Sequence, residues 1–66
     1  MDRAVSIRSA IRQIRSAEAS LNRAAYLLRA GGAETAALEL EAAVVDLVEE
    51  RRIQEIAAKA IEERRS

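Results

Sequence analysis

Cysteine and histidine are both missing from the 66 residues. Without thiols there is no disulfide and no thiolate metal site, and without imidazole the commonest zinc ligand and general base is gone. Proline is also absent, and glycine occurs only as Gly31 and Gly32, so that pair is the chain's single punctuation mark. Tyr26 is the only aromatic residue. No charge-free run approaches the roughly 18 apolar residues a bilayer span requires. The first stretch, MDRAVSIRSAIRQIRSAEAS, is charged throughout, which is unlike a secretory signal. It shares an Arg- and Ser-rich, acid-poor makeup with mitochondrial presequences, yet it continues unbroken into a helical pattern. These absences lead us to expect a soluble, cytoplasmic protein with no membrane contact.

What is abundant favours helix. Alanine fills fifteen positions and arginine supplies ten of the eleven basic residues, both strong helix formers. Apolar periodicity of the helical kind runs on either side of the glycines. We therefore expect an all-α fold and one domain over 1–66, a two-helix antiparallel hairpin. Helix 1 spans about 3–30, the turn 31–32 and helix 2 about 33–64. Asp2 is the expected N-cap of helix 1, Gly31 its left-handed C′ residue, and Gly32 the N-cap of helix 2. Glu34 in the first turn of helix 2, and Arg64 and Arg65 in its last, match the helix dipole.

Helix 1 carries Ile7, Ile11, Ile14, Leu21, Ala25 and Leu28 at alternating steps of four and three, with Glu18 in the one gap. That heptad spacing is flanked by small residues, Ala10, Ala17 and Ala24, and by a row of Ser6, Ser9, Gln13, Ser16 and Ser20. Helix 2 near the turn presents Ala33, Ala37, Leu40, Val44 and Leu47 to helix 1, with Leu40 expected near Ala24 and Leu47 near Ala17, large against small. Leu38, Ala42, Val45 and Val48 point elsewhere, so this half is apolar nearly all round.

Beyond Glu49-Glu50-Arg51-Arg52 the apolar residues Ile53, Ile56, Ala57 and Ala60 lie opposite the Leu40/Val44 line. The apolar face thus switches sides halfway along helix 2. Supercoiling drifts only about 20° per heptad, too little to carry one face to the other. A second partner is the expected explanation, with another copy of the chain the simplest one, giving a homodimeric four-helix bundle. Its predicted interface residues are Leu38, Val45, Ile53, Ile56 and Ala60. Charge agrees with helix 1 pairing with helix 2: six Arg against Asp2 and Glu18 make the first +4, and nine acids against five bases make the second −4.

Catalysis has little to work with. Ser6, Ser9, Ser16, Ser20 and Thr35 lack a histidine to activate them, and RAGGAET lacks the lysine and spacing of a phosphate loop. No catalytic residue, metal site or cofactor is expected. Arg8, Arg12, Arg15 and Arg23 form a basic stripe with Tyr26, and Arg and Tyr are favoured interface anchors, so Arg12, Arg15, Arg23 and Tyr26 are the candidate partner-binding residues. In layout the chain resembles the Rop-like RNA-binding hairpins, which have this size and dimerise into four-helix bundles. That resemblance implies the alternative of RNA binding through Arg8, Arg12, Arg15 and Arg23, although no motif assigns residue roles. A formal net charge of zero and a pI near 6.3 favour protein over nucleic acid. The expected function is a small protein-binding regulator or inhibitor of the kind found on phages and plasmids, or a secretion co-chaperone; a purely structural or designed helical oligomer is the remaining reading.

Overall fold

A computed structural model describes residues 2–65. Two helices, α1 (Arg3–Ala30) and α2 (Glu34–Arg65), lie antiparallel in a body 52 × 17 × 13 Å. Among the described residues there is no strand. Asp2 caps α1 as its sequence position suggests: the carboxylate oxygen Oδ1 accepts from the Ala4 N–H at 2.8 Å. At the other end the glycine roles shift by one residue. Gly31 has φ −86°, and it is Gly32 that takes the left-handed conformation, φ 85°. The Ala33 N–H bonds the Leu28 carbonyl at 2.8 Å, and the Gly32 N–H bonds that of Arg29 at 3.1 Å. These are the two bonds of a Schellman closure with Gly32 at C′. Alanine is therefore compatible with position 31 and strained at position 32. Ala33, not Gly32, accepts the first bond of α2, from the Ala37 N–H at 3.1 Å, which starts that helix one residue late and leaves Ala33 exposed instead of packed on α1.

The heptad line of α1 faces α2 throughout, Glu18 included. Ala4, Ile11 and Ala25 are buried, and Ile7, Ile14, Glu18, Leu21 and Leu28 are partly covered. Opposite them, α2 contributes Ala37, Leu40, Val44, Leu47, Arg51, Gln54, Ala58 and Ile61, all buried or partly covered at steps of three and four. The apolar face of α2 consequently does not change side. The seam runs straight on, and only its composition changes, because Arg51 and Gln54 interrupt the aliphatic series. Ile53 and Ile56 belong to a second, separate stripe.

Arg51 meets Glu18. Its Nε and Nη2 donate to the two carboxylate oxygens at 2.7 and 3.2 Å, while Nη1 donates to Glu55 at 3.1 Å. The polar gap in α1's seam is thereby filled by the polar gap in α2's. A single misplaced turn would leave both charges facing alkyl groups, so this pair specifies register more than it adds stability. Ion pairs elsewhere keep the same register: Arg8 with Glu62, Arg15 with Glu55 and Arg29 with Glu41 have residue numbers adding to 70, and Glu18 with Arg51 to 69. The near-constant offset over these four pairs fits two continuous helices running side by side. Asp2 and Arg65 pair at the open end.

What this hairpin lacks is bulk. Among the described residues, Ile11 is the only large side chain that is buried, the others being alanines. A 66-residue chain with so little enclosed aliphatic volume is short of the burial an independent domain of its size draws on.

Candidate functional site

At 100° per residue, Leu38, Ala42, Val45, Glu49, Ile53, Ile56 and Ala60 fall on one line about 180° round α2 from its seam. The four large members are 50% to 72% exposed, and Ala42, Glu49 and Ala60 are exposed as well. All five residues expected at a dimer interface, Leu38, Val45, Ile53, Ile56 and Ala60, therefore share one outward face. Scattered surface aliphatics are ordinary, whereas these share one row over six helical turns, interrupted by Glu49. Val44, Val45, Val48, Glu49 and Arg52 line a shallow groove beside it.

The candidate partner-binding residues do not converge. Arg12 and Arg15 flank a shallow depression shared with Arg8, Ile11, Glu55 and Lys59. Arg23 lies in another, lined by Ser16, Ala19, Ser20, Ala24 and Leu27, and Tyr26 in a third with Asn22, Arg29, Ala30 and Glu41. Their ionic states also differ. Arg8 is held bidentately by Glu62, with contacts of 2.7 and 3.0 Å, and Arg15 donates to Glu55 at 3.1 Å. Arg12 donates only to the Ser9 hydroxyl, at 3.2 Å, and Arg23 has no ion pair among the described residues. Two of the four arginines in the basic stripe are thus neutralised by α2, as the opposite charges of the helices favour. On the outer side of α1, Val5, Leu27 and Tyr26 are all more than half exposed.

Sequence reasoning missed the polar cluster that links the helices. Glu55 joins Arg15 and Arg51, and Arg51 in turn joins Glu18; near the turn Arg29 grips Glu41 with contacts of 2.8 and 2.9 Å and reaches Glu34 at 3.2 Å. The signal was present in the heptads, since polar residues at matched levels of two facing seams imply each other. Hydrogen bonding from Arg15, and then from Arg51, holds the Glu55 carboxyl below its usual range; Arg29 does the same to Glu41, Arg8 to Glu62 and Arg65 to Asp2. The guanidinium of Arg51 is pushed further up, chiefly by Glu18, and that of Arg29 by Glu41.

These shifts fix a pH dependence. Carboxyls more acidic in the folded chain than in the unfolded one contribute stability that is complete above their unfolded values, 3.8 for Asp and 4.5 for Glu, and that disappears as pH falls through the lower folded values. The melting temperature followed by circular dichroism should be level between about pH 5 and 8 and drop progressively below about 4.5. Each pair is at least partly solvated, so added salt should flatten the drop.

Among the described residues no group of three or more His, Cys, Asp or Glu is placed to hold a metal ion, and no helix is long and apolar enough to cross a membrane. A scan against models of protein families finds no match, and searches of curated proteins and of solved structures find none either.

Proposed function

We propose that the hairpin is a small non-enzymatic regulator or inhibitor that acts by binding: it self-associates through the outer stripe of α2 and presents another helical surface that occludes or bridges a partner protein, such as a transcription factor, motor or secretion component. The outer stripe carries this reading. Its exposed aliphatics have no use in a chain that works alone, and covering them supplies the burial that the Ala-rich seam lacks. The partner surface is assigned to the outer side of α1, where Arg12, Arg23, Tyr26 and Leu27 stay exposed, two of them cations without an ion pair among the described residues.

Two observations weigh against other classes. The perturbed carboxyls are all driven toward permanent charge and away from the neutral range that proton-transfer catalysis uses. Arg8 and Arg15, half of the basic stripe needed for the Rop-like alternative, are engaged by Glu62 and Glu55. Sedimentation across a concentration series, with affinity capture from the native host, tests the proposal. A concentration-dependent dimer that retains one protein partner, lost on Arg12→Ala with Arg23→Ala, supports it. A monomer at all concentrations refutes the self-association, and a salt-sensitive RNA gel shift in place of a protein partner transfers the function to the nucleic-acid reading.

A further inference from the structure

Resting on that self-association, the geometry points to how it is built: we infer that a second copy docks back to back on α2, antiparallel about Glu49, to give a flat layer in the order α1, α2, α2, α1.

The position of the stripe favours a flat layer over a closed square. In a square bundle each helix meets its two neighbours at about 90° to one another, whereas a helix inside a flat layer meets them on opposite sides. On α2 the positions about 90° from the seam are mainly polar, the exceptions being Val48 on one flank and the small Ala43 and Ala57 on the other. One flank carries Glu39, Asp46 and Glu50, and the other Glu41, Arg52, Glu55 and Lys59. The aliphatic row lies directly behind the seam instead. It has the arrangement of a middle helix.

Direction follows from charge, and the spacing of the stripe permits it. Along the stripe, Leu38, Ala42, Val45, Glu49, Ile53, Ile56 and Ala60 are separated by steps of 4, 3, 4, 4, 3 and 4, which read the same from either end. An antiparallel copy centred on Glu49 therefore sets position 38 against 60, 42 against 56 and 45 against 53, with every aliphatic facing another. Charge is antisymmetric about the same point. Glu39, Asp46, Glu49 and Glu50 make no ion pair among the described residues, and neither do Arg52, Lys59 and Arg64. The acids precede residue 51 and the cations follow it. In level along the axis, an antiparallel copy sets the acidic half of one α2 against the basic half of the other, while a parallel copy aligns like halves; the acids and the cations Arg52 and Lys59 lie on opposite faces of the layer, so this is attraction between the halves and not a set of direct ion pairs. Glu49 itself meets its equivalent near the axis. The Arg52 of each chain, three residues on, lies within reach to offset that repulsion.

Cross-linking reads this directly, because the chain has no cysteine of its own. Ala42→Cys and Ile56→Cys are prepared separately, and each is oxidised mildly alone and as an equimolar mixture at a concentration where wild type sediments as a dimer. Facing positions come close enough for a disulfide, whereas identical positions in an antiparallel pair are offset by 14 residues, about 21 Å. The mixture should give the hetero-disulfide at least tenfold faster than either variant gives its own. Rapid linking of Ala42→Cys to itself would overturn the direction. A stable dimer with no linking in any combination would overturn the back-to-back face and leave the self-association standing, and a monomer would remove both. Glu49→Leu gives an independent reading: it should tighten the dimer at least tenfold, and an unchanged dissociation constant would place Glu49 outside the contact and overturn the proposed axis.

Discussion

Charging the outer face of α2 with Ile53→Glu and Ile56→Glu together is expected to abolish self-association and, at micromolar concentration, to lower helicity as well. Burying an isoleucine is worth about 1.5–3 kcal/mol, so losing two removes about 3–6 kcal/mol per chain before any charge is considered. Two carboxylates placed in a dry contact add a desolvation cost of several kcal/mol. The dimer constant should weaken at least a hundredfold, on the scale of about 1.4 kcal/mol per factor of ten. Both substitutions fall on side chains that are at least half exposed within one hairpin, so they break nothing inside it. The loss should therefore vanish as wild type is diluted to monomer, and equilibrium sedimentation with circular dichroism over a dilution series measures both. Equal dissociation constants for variant and wild type would show that another face is used.

Ile11→Ala is expected to have the other large effect, with a different signature. Ile11 is 5% exposed and is the one bulky aliphatic in the buried set. Truncating such a residue costs about 2–5 kcal/mol through lost transfer energy and the cavity left behind. Total stabilities are only about 5–15 kcal/mol, and small domains lie at the low end of that range. The variant should melt well below wild type in urea or heat at every concentration, because the damage lies in the seam that defines the hairpin. Denaturation curves at two protein concentrations separate the cases: the seam variant is shifted at both, the stripe variant chiefly at the higher one.

Most of this architecture could be read from residue spacing. The two glycines located the turn, the heptads of α1 located its buried side with Glu18 included, and the opposite net charges of the helices anticipated the ion pairs that close the hairpin. The apparent change of face in α2 shows where such reading fails. Counting only aliphatic residues follows grease, and where Arg51 and Gln54 occupy seam positions it registers only Ile53 and Ile56 on the opposite side, so two stripes that run in parallel along α2 read as one that switches. Ala58 and Ile61 were the indication that the original line persists. Glu18 was noticed as an intruder in one heptad, and its counterpart had to be a cation at the matching level of the other. The turn failed for a subtler reason: either glycine can adopt a positive φ, and only the hydrogen bonds from Gly32 and Ala33 decide which one does. Spacing along one helix carries no information about acids supplied by another, so the engagement of Arg8 and Arg15 by α2 is not visible in the arginine stripe.

The ion pair between Asp2 and Arg65 sets the start of α1 and the end of α2 side by side at one tip, with Gly31 and Gly32 at the far tip. Such a body tolerates rewiring. A short flexible peptide joining the ends, with new termini cut between the glycines, would yield a circular permutant that keeps every seam contact and exchanges one small loop-closure entropy for another. Peptides attached beyond Asp2 or Arg65 leave from the same tip, so the long sides of both helices stay unobstructed.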